Sequence, residues 1–232
     1  MARSRRPPVA EGPAVGTLPS ARSVLAVCAH PDDESFGLGA ALATLAAGGA
    51  TVAVLSFTRG EASTLRAAAG DLASVRATEL SDAGRALGAS RVRLLDHPDG
   101  QLASVPLEEM VHEALALGRL VGADLVMAFD TNGVTGHPDH RRATEAALGA
   151  ARDLHSPLLA WGLVSEVADR LNSELGTTFV GRPARDYDVV ARVDRSAQHA
   201  AIACHRSQSS GNTVLTRRLE LQGDLEHFVW LA

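Results

Sequence analysis

The stretch SVLAVCAHPDDE, Ser23 to Glu34, reads as a buried strand that ends in a burst of polar groups. Ser23 to Ala29 has the length of a strand and no polar alternation, so both of its faces should be covered. Pro31 lacks the N–H that a ladder needs and stops it. A helix of small residues is expected from about Ser35 to Ala47, closed by Gly48-Gly49. The same alternation repeats outward along the chain. Strands are expected at Thr51 to Phe57, Arg91 to Leu95, Asp124 to Phe129 and Leu158 to Val164, and helices at Asp71 to Leu87, Leu107 to Val121 and His140 to Leu154. After Ser165 the pattern loosens into a short helix near Val167 to Leu175, a strand at Asp186 to Val193, a helix at Ser196 to His205 and a last strand at His227 to Leu231. Continuous apolar strands alternating with helices predict an α/β fold: a Rossmann-like, doubly wound, mainly parallel sheet with helices on both faces and a C-terminal elaboration.

The chain has 232 residues, the size of one large domain. Residues 1–22 carry Arg3, Arg5, Arg6, Pro7, Pro8, Pro13 and Pro19 and are expected to be a disordered tail; residues 23–232 form the single domain. That tail has no apolar core of a secretory signal. Hydrophobic residues make up 46% and charged residues 21%, which excludes a disordered chain. A net charge of -5 argues against nucleic acid as a partner, since phosphates demand a surplus of cations. No run of apolar residues is long enough for a membrane span. Aromatics are only 3%, so the core must rest on Ala, Leu and Val. All 22 basic residues are Arg, which rules out Schiff-base and P-loop lysine chemistry. Cys28 and Cys204 stand apart from any metal or redox spacing and read as two buried thiols of a reducing cytoplasm.

In an open parallel sheet, ligands bind beyond the carboxyl ends of the strands, and the polar clusters of this chain fall there. His30-Pro31-Asp32-Asp33-Glu34, Thr58-Arg59-Gly60-Glu61, Asp96 to Gly100 and Gly136-His137-Pro138-Asp139-His140 should meet at one rim. Two adjacent carboxylates repel, and a bound cation relieves the repulsion. A bend at Pro31 would turn His30 and Asp33 to one point and leave Asp32 beside the metal without ligating it. The alternative is that Asp32 or Asp33 merely caps the next helix. The second His-Pro-Asp cluster favours the metal: one His and one carboxylate from the first loop, with one His from the second, make the three-ligand set of a catalytic zinc site.

AHPDDE at Ala29 to Glu34 and GHPDH at Gly136 to His140 resemble the two metal motifs of the PIG-L (LmbE-like) N-deacetylase family. TRGE at Thr58 to Glu61, Arg76-Ala77-Thr78-Glu79, Pro98-Asp99-Gly100 and His205-Arg206-Ser207-Gln208 match as well. The resemblance implies a Rossmann-like zinc enzyme that removes the acetyl group from an N-acetylglucosaminyl conjugate: a small glycoside, a thiol precursor or a natural product. By motif, it implies His30, Asp33 and His140 as ligands of one Zn²⁺ per chain, with Fe²⁺ and other divalent ions also suited to the donors. Asp32 is the implied general base. His137 is the implied oxyanion stabiliser, protonated and kept charged by Asp139 or another carboxylate. Asp139 would orient a neighbouring histidine. Glu61, Arg76 and Asp99 are the implied substrate-binding residues. Gln198 stands where relatives often carry a lysine, so no charge role is expected there.

The remaining features read more plainly. His97, His112, His155, His199 and His227 have no motif around them and are expected to be ordinary surface or core residues. His205 suits a structural role as readily as a site role. Gly37-Leu38-Gly39 lacks the rest of a dinucleotide fingerprint, and its neighbouring carboxylates would repel phosphates. The competing functions are a metal-dependent hydrolase of another N-acyl or amide substrate, and a metal- or nucleotide-binding module without turnover. Asp32 discriminates, because a binding site has no need of a non-ligand carboxylate beside the metal. The expected partner is a small amino-sugar substrate in the cytoplasm, with no nucleic acid and no membrane span; relatives often assemble, which leaves a homo-oligomer open.

Overall fold

The computed structural model of the chain describes residues 13–65 and 71–232. Among them run β1 (Val15–Gly16), β2 (Ser23–Cys28), α1 (Asp33–Phe36), α2 (Gly39–Ala47), β3 (Thr51–Thr58), α3 (Leu72–Ala86), β4 (Arg91–His97), α4 (Leu107–Val121) and β5 (Leu125–Phe129). They continue as α5 (Pro138–Leu154), β6 (Leu158–Val164), α6 (Ser165–Leu175), β7 (Gly181–Arg182), β8 (Val189–Arg192), α7 (Ser196–Cys204), α8 (Arg206–Ser209), α9 (Thr213–Gln222) and β9 (Leu225–Trp230).

The strands form one sheet in the order β1-β8-β9-β6-β5-β2-β3-β4, with β7 added beside β6. Strands β2 to β6 are parallel to one another, and among the described strands β9 alone runs antiparallel, between β6 and β8. From β2 the chain winds outward through β3 to β4, then returns to lay β5 on the other side of β2. The direction of winding therefore reverses between β2 and β5, and the crevice of a doubly wound sheet opens at their carboxyl ends.

Burial on both faces explains the unbroken apolar strands. Val24, Ala26 and Cys28 of β2 face one core with Leu42 of α2 and Leu80 and Ala83 of α3. Leu25, Val27 and Ala29 face the other, with Met110, Ala114 and Leu117 of α4. The second core rests heavily on small residues: Ala143, Ala146, Ala147, Ala150 and Ala151 of α5 are all buried. With few aromatics to fill space, close helix approach supplies the packing. No helix among the described residues is long and apolar enough to cross a membrane.

Several local expectations change. The helix expected from Ser35 to Ala47 is broken into α1 and α2, which turn between Gly37 and Leu38. The expected tail is partly structured: Val15-Gly16 pairs with Val190-Ala191, and Leu18 packs on the core. Its residues 1–12 lie outside the described residues. Helix α9, strand β7 and the single turn α8 were not anticipated; they are short or carry mixed polarity, with no clean period to announce them. Cys28 is buried as expected, but Cys204 is only half-buried.

Candidate active site

The loops after β2 and β5 bring two histidines and a carboxylate to a common point. His30 Nδ1 lies 3.2 Å from His140 Nε2, and His140 Nε2 lies 3.2 Å from Asp33 Oδ1. His30 Nδ1 and Asp33 Oδ2 are 3.8 Å apart. All three residues are buried. Donors about 2.0–2.1 Å from a tetrahedral ion would stand roughly 3.3 Å from one another, so this spacing is that of a ligand set.

The outward-facing atoms of each ligand are already spoken for. His30 Nε2 meets Asp99 Oδ1 at 3.1 Å and Asp139 Oδ2 at 3.4 Å. Those partners are acceptors, so Nε2 carries the proton and Nδ1 presents its lone pair. His140 Nδ1 lies 3.1 Å from the Gly133 carbonyl and 2.9 Å from Thr135 Oγ1, which leaves Nε2 as its free donor atom. Asp33 Oδ2 accepts the Ala29 and His30 N–H groups, each at 3.0 Å, leaving Oδ1 for the cluster. Three atoms that can each present a lone pair thus face one another, an arrangement that a cation stabilises.

The electrostatics agree. Burial works against a charged His30, but its hydrogen bonds to Asp139 and Asp99 and the charge of Asp33 outweigh it and push the imidazole up to about 10. Burial likewise opposes the Asp33 carboxylate, yet His140 and His30 hold it well below the usual range. The pocket is therefore built for positive charge.

Asp32 stands apart from this cluster. Its backbone has φ 119°, rare for a residue with a Cβ, and its Oδ2 accepts from Arg76 Nη2 at 2.9 Å. Burial raises its pKa, Arg76 pulls it back and Asp33 raises it again, with a net value of about 6. The two adjacent carboxylates are thus separated in direction and in acidity.

Arg76 is buried; its two terminal nitrogens donate to Asp32, to the Pro31 carbonyl and to the Gly60 carbonyl at 2.6 Å, while its Nε has no partner among the described residues. Gly60 has φ 66°, and a Cβ there would strike the guanidinium. Arg76 lines the cavity, as a substrate-binding residue would, and also holds Asp32. Asp99 lines the same cavity and is engaged with His30 and with the Ala62 N–H at 2.8 Å. Glu61 is exposed, and its carboxylate accepts the Asp99 N–H at 3.0 Å, which fixes the loop instead of facing the cavity.

Asp139 and His137 occupy the second loop. Asp139 is fully buried and serves His30; its other partners are the Gly100 N–H at 2.8 Å and the Leu102 N–H at 3.1 Å. His137 receives the Asp139 backbone N–H on Nδ1 at 3.2 Å, so its proton resides on Nε2. Burial, then the charges of His30 and His140, push His137 below the ordinary imidazole value. Both features favour a neutral ring with an Nε2–H to donate, where the resemblance implies an imidazolium.

The cavity in front of these groups measures about 500 Å³. Its apolar side is formed by Phe36, Phe129, Trp161 and Phe179, which sequence reading missed because they lie on separate elements. Glu34 and His205 meet behind the site, with His205 Nε2 2.7 Å from Glu34 Oε1. Both belong to matched motifs, which was the signal available for them. Gln198 is buried, and its amide donates to the Ser35 carbonyl at 3.0 Å.

The PIG-L family profile, described as GlcNAc-PI de-N-acetylase, matches residues 25–151 and so spans both His-Pro-Asp loops. A 1D-myo-inositol 2-acetamido-2-deoxy-alpha-D-glucopyranoside deacetylase of Saccharomonospora viridis is 33% identical over 229 residues, covering 80% of this chain and 84% of the relative. Among solved structures, N,N'-diacetylchitobiose deacetylase from Pyrococcus horikoshii superposes with a TM-score of 0.68 at 20% identity, covering 91% of this chain and 84% of that one. A 4-carboxy-2-hydroxymuconate hydratase from Pseudomonas putida superposes with a TM-score of 0.66 at 17% identity, covering 91% and 96%. The fold alone thus does not select the reaction. The sequence match does select a lineage: a profile covering more than half of the chain, with a relative one-third identical along most of both sequences, places this chain in the PIG-L family.

Proposed function

We propose that the protein is a hydrolase that releases acetate from an N-acetylglucosaminyl conjugate, using one divalent cation held by His30, Asp33 and His140. The observation that carries this reading is the convergence of three donor atoms, each with its far side fixed by a hydrogen bond, beside a carboxylate that is not part of the set. The S. viridis relative supports a 2-acetamido-2-deoxyglucopyranoside as the substrate class. Two nitrogens and one carboxylate oxygen suit zinc, and suit Fe²⁺ as a second choice. The free thiols Cys28 and Cys204 fit a reducing cytoplasm, where the proposal places the enzyme.

When bound, a zinc ion acts as a Lewis acid that acidifies water and polarises a carbonyl oxygen. The chain supplies the rest. Asp32 takes a proton from the attacking water and delivers it to the departing nitrogen as the C–N bond breaks, leaving acetate and a free amine. A base near pH 6 is well placed for both transfers. His137 Nε2–H donates to the oxygen on which negative charge develops. Arg76 keeps Asp32 in reach and ionised.

The test is direct. Protein loaded with zinc, compared with chelated protein, is incubated with a panel of N-acetylglucosaminides, and free amine and acetate are measured. Release from none of them, at one zinc per chain, overturns the reading.

Two side-chain predictions belong here. His137→Ala lowers kcat by about 10²–10³-fold, the usual cost of losing one oxyanion donor. Because the ring is neutral, the alkaline side of the pH profile stays where it was; its disappearance in the variant would restore the imidazolium. Arg76→Met removes the cation that pulls Asp32 down, so Asp32 titrates higher and the acidic limb of kcat/KM moves to higher pH. A rise in KM with an unmoved limb would return Arg76 to substrate binding.

A further inference from the structure

Glu34 and His205 are both fully buried, and the reaction above does not use them. We propose that they form a positioning pair that holds Asp32 in its twisted backbone conformation and so keeps the base off the metal cluster. The inference rests on the deacetylase reading for the role of Asp32.

Asp32 has φ 119° and ψ -25°, a region that a residue with a Cβ occupies only when its surroundings impose it. Its carbonyl accepts the first N–H groups of α1, from Ser35 at 3.0 Å and Phe36 at 2.6 Å. Its own N–H points the other way and donates to Glu34 Oε2 at 2.9 Å. That bond exists only while the Glu34 carboxylate stays put. Glu34 Oε1 is anchored by Ser35 Oγ at 2.5 Å and by His205 Nε2 at 2.7 Å. His205 arrives from the junction of α7 and α8, 171 residues further along the chain, with its ring edge-on to Phe36 at 5.9 Å. Asp32 is therefore clamped twice: Arg76 holds its carboxylate, and the Glu34–His205 pair holds its peptide. The twist turns Asp32 toward Arg76 while its neighbour Asp33 turns to the histidines. Relaxed backbone at Asp32 would redirect its carboxylate, while Asp33 stays held by the Ala29 and His30 N–H groups.

Crystal structures of zinc-loaded wild type, His205→Ala and His205→Gln test this without any substrate. In His205→Ala, Asp32 is expected to leave positive φ and its carboxylate to leave Arg76. In His205→Gln, whose amide can still donate to Glu34, the twist is retained. Kinetics should follow: kcat falls about a hundredfold in His205→Ala, the scale of a misplaced catalytic group, with KM and zinc per chain unchanged, and Gln restores most of it. In an Asp32→Asn background, His205→Ala should cause no further loss, because it acts through Asp32. If His205→Ala does not fold, the double variant Glu34→Leu with His205→Leu carries the same expectations, since apolar replacement of a buried pair is generally tolerated. An unchanged Asp32 backbone overturns the proposal. So does a loss confined to KM or zinc, or an equal loss in the Asp32→Asn background. A wild type that releases no acetate would refute the deacetylase reading, while the crystal structures still decide the positioning.

Discussion

Asp32→Asn should keep its zinc and lose about 10²–10⁴-fold in kcat, the range for a positioned general base. The substitution is nearly isosteric, and Arg76 Nη2 can still find the amide oxygen, so the fold and the cavity are preserved. What disappears is the ability to accept a proton. Metal content should be unaffected because the carboxylate lies outside the donor cluster: Asp33, His30 and His140 close on one another without it. Paired measurements of zinc per chain and kcat give the answer. If Asp32→Asn sheds the metal while Asp33→Asn keeps it, the two roles are exchanged. The pH dependence carries a sign as well. Asp32 works deprotonated, so wild-type kcat/KM falls as pH drops through its value, which lies at about 6 in the metal-free protein. A bound dication favours the carboxylate and moves that limb lower, never higher. The Asn variant should lack the limb altogether.

His140→Ala should empty the metal site and abolish turnover. His140 contributes one of the three donor atoms, and it is the one that comes from the second loop, after β5. Without it, only His30 and Asp33 remain, both from the loop after β2. Removing a hydrogen-bond partner behind a ligand typically weakens metal affinity by 10–100-fold, so deleting the ligand itself should exceed about a hundredfold. Asp99→Asn, which only perturbs the support of His30, should fall inside the smaller range. Zinc per chain after dialysis, together with titration of the metal-free proteins, orders the variants. Full occupancy in His140→Ala would remove it from the ligand set.

Strand and helix existence from β2 through β6 was legible because both signals are local. Leu107–Val121 and Leu158–Val164 have the bounds that their apolar periods predict. An unbroken run such as Leu125–Phe129 has few alternatives to a strand buried on both faces. The break between α1 and α2 was not legible. Small residues continue across Gly37-Leu38, and what bends the chain there is contact with other elements: Gln198 and Arg218 bond the Phe36 carbonyl, and a Cβ on Gly37 would strike Phe129. The pairing of Val15-Gly16 with β8 was hidden for the same reason, since a partner 175 positions away leaves no local period.

The sequence by itself determined the layered α/β architecture, the rim at which the polar loops gather and the candidate donors, because each hydrophobic period, strand-ending proline and His-Pro-Asp cluster is written within a few consecutive residues. Tertiary structure alone decided how those residues divide the work. Asp139 meets His30, Arg76 meets Asp32, and the Asp139 N–H meets His137 Nδ1. The first two contacts join residues tens of positions apart in the chain, and all three depend on which atom faces which partner. Hydrogen bonds and charges act over a few ångströms of space, and the separation that matters to them is set only when the chain has folded.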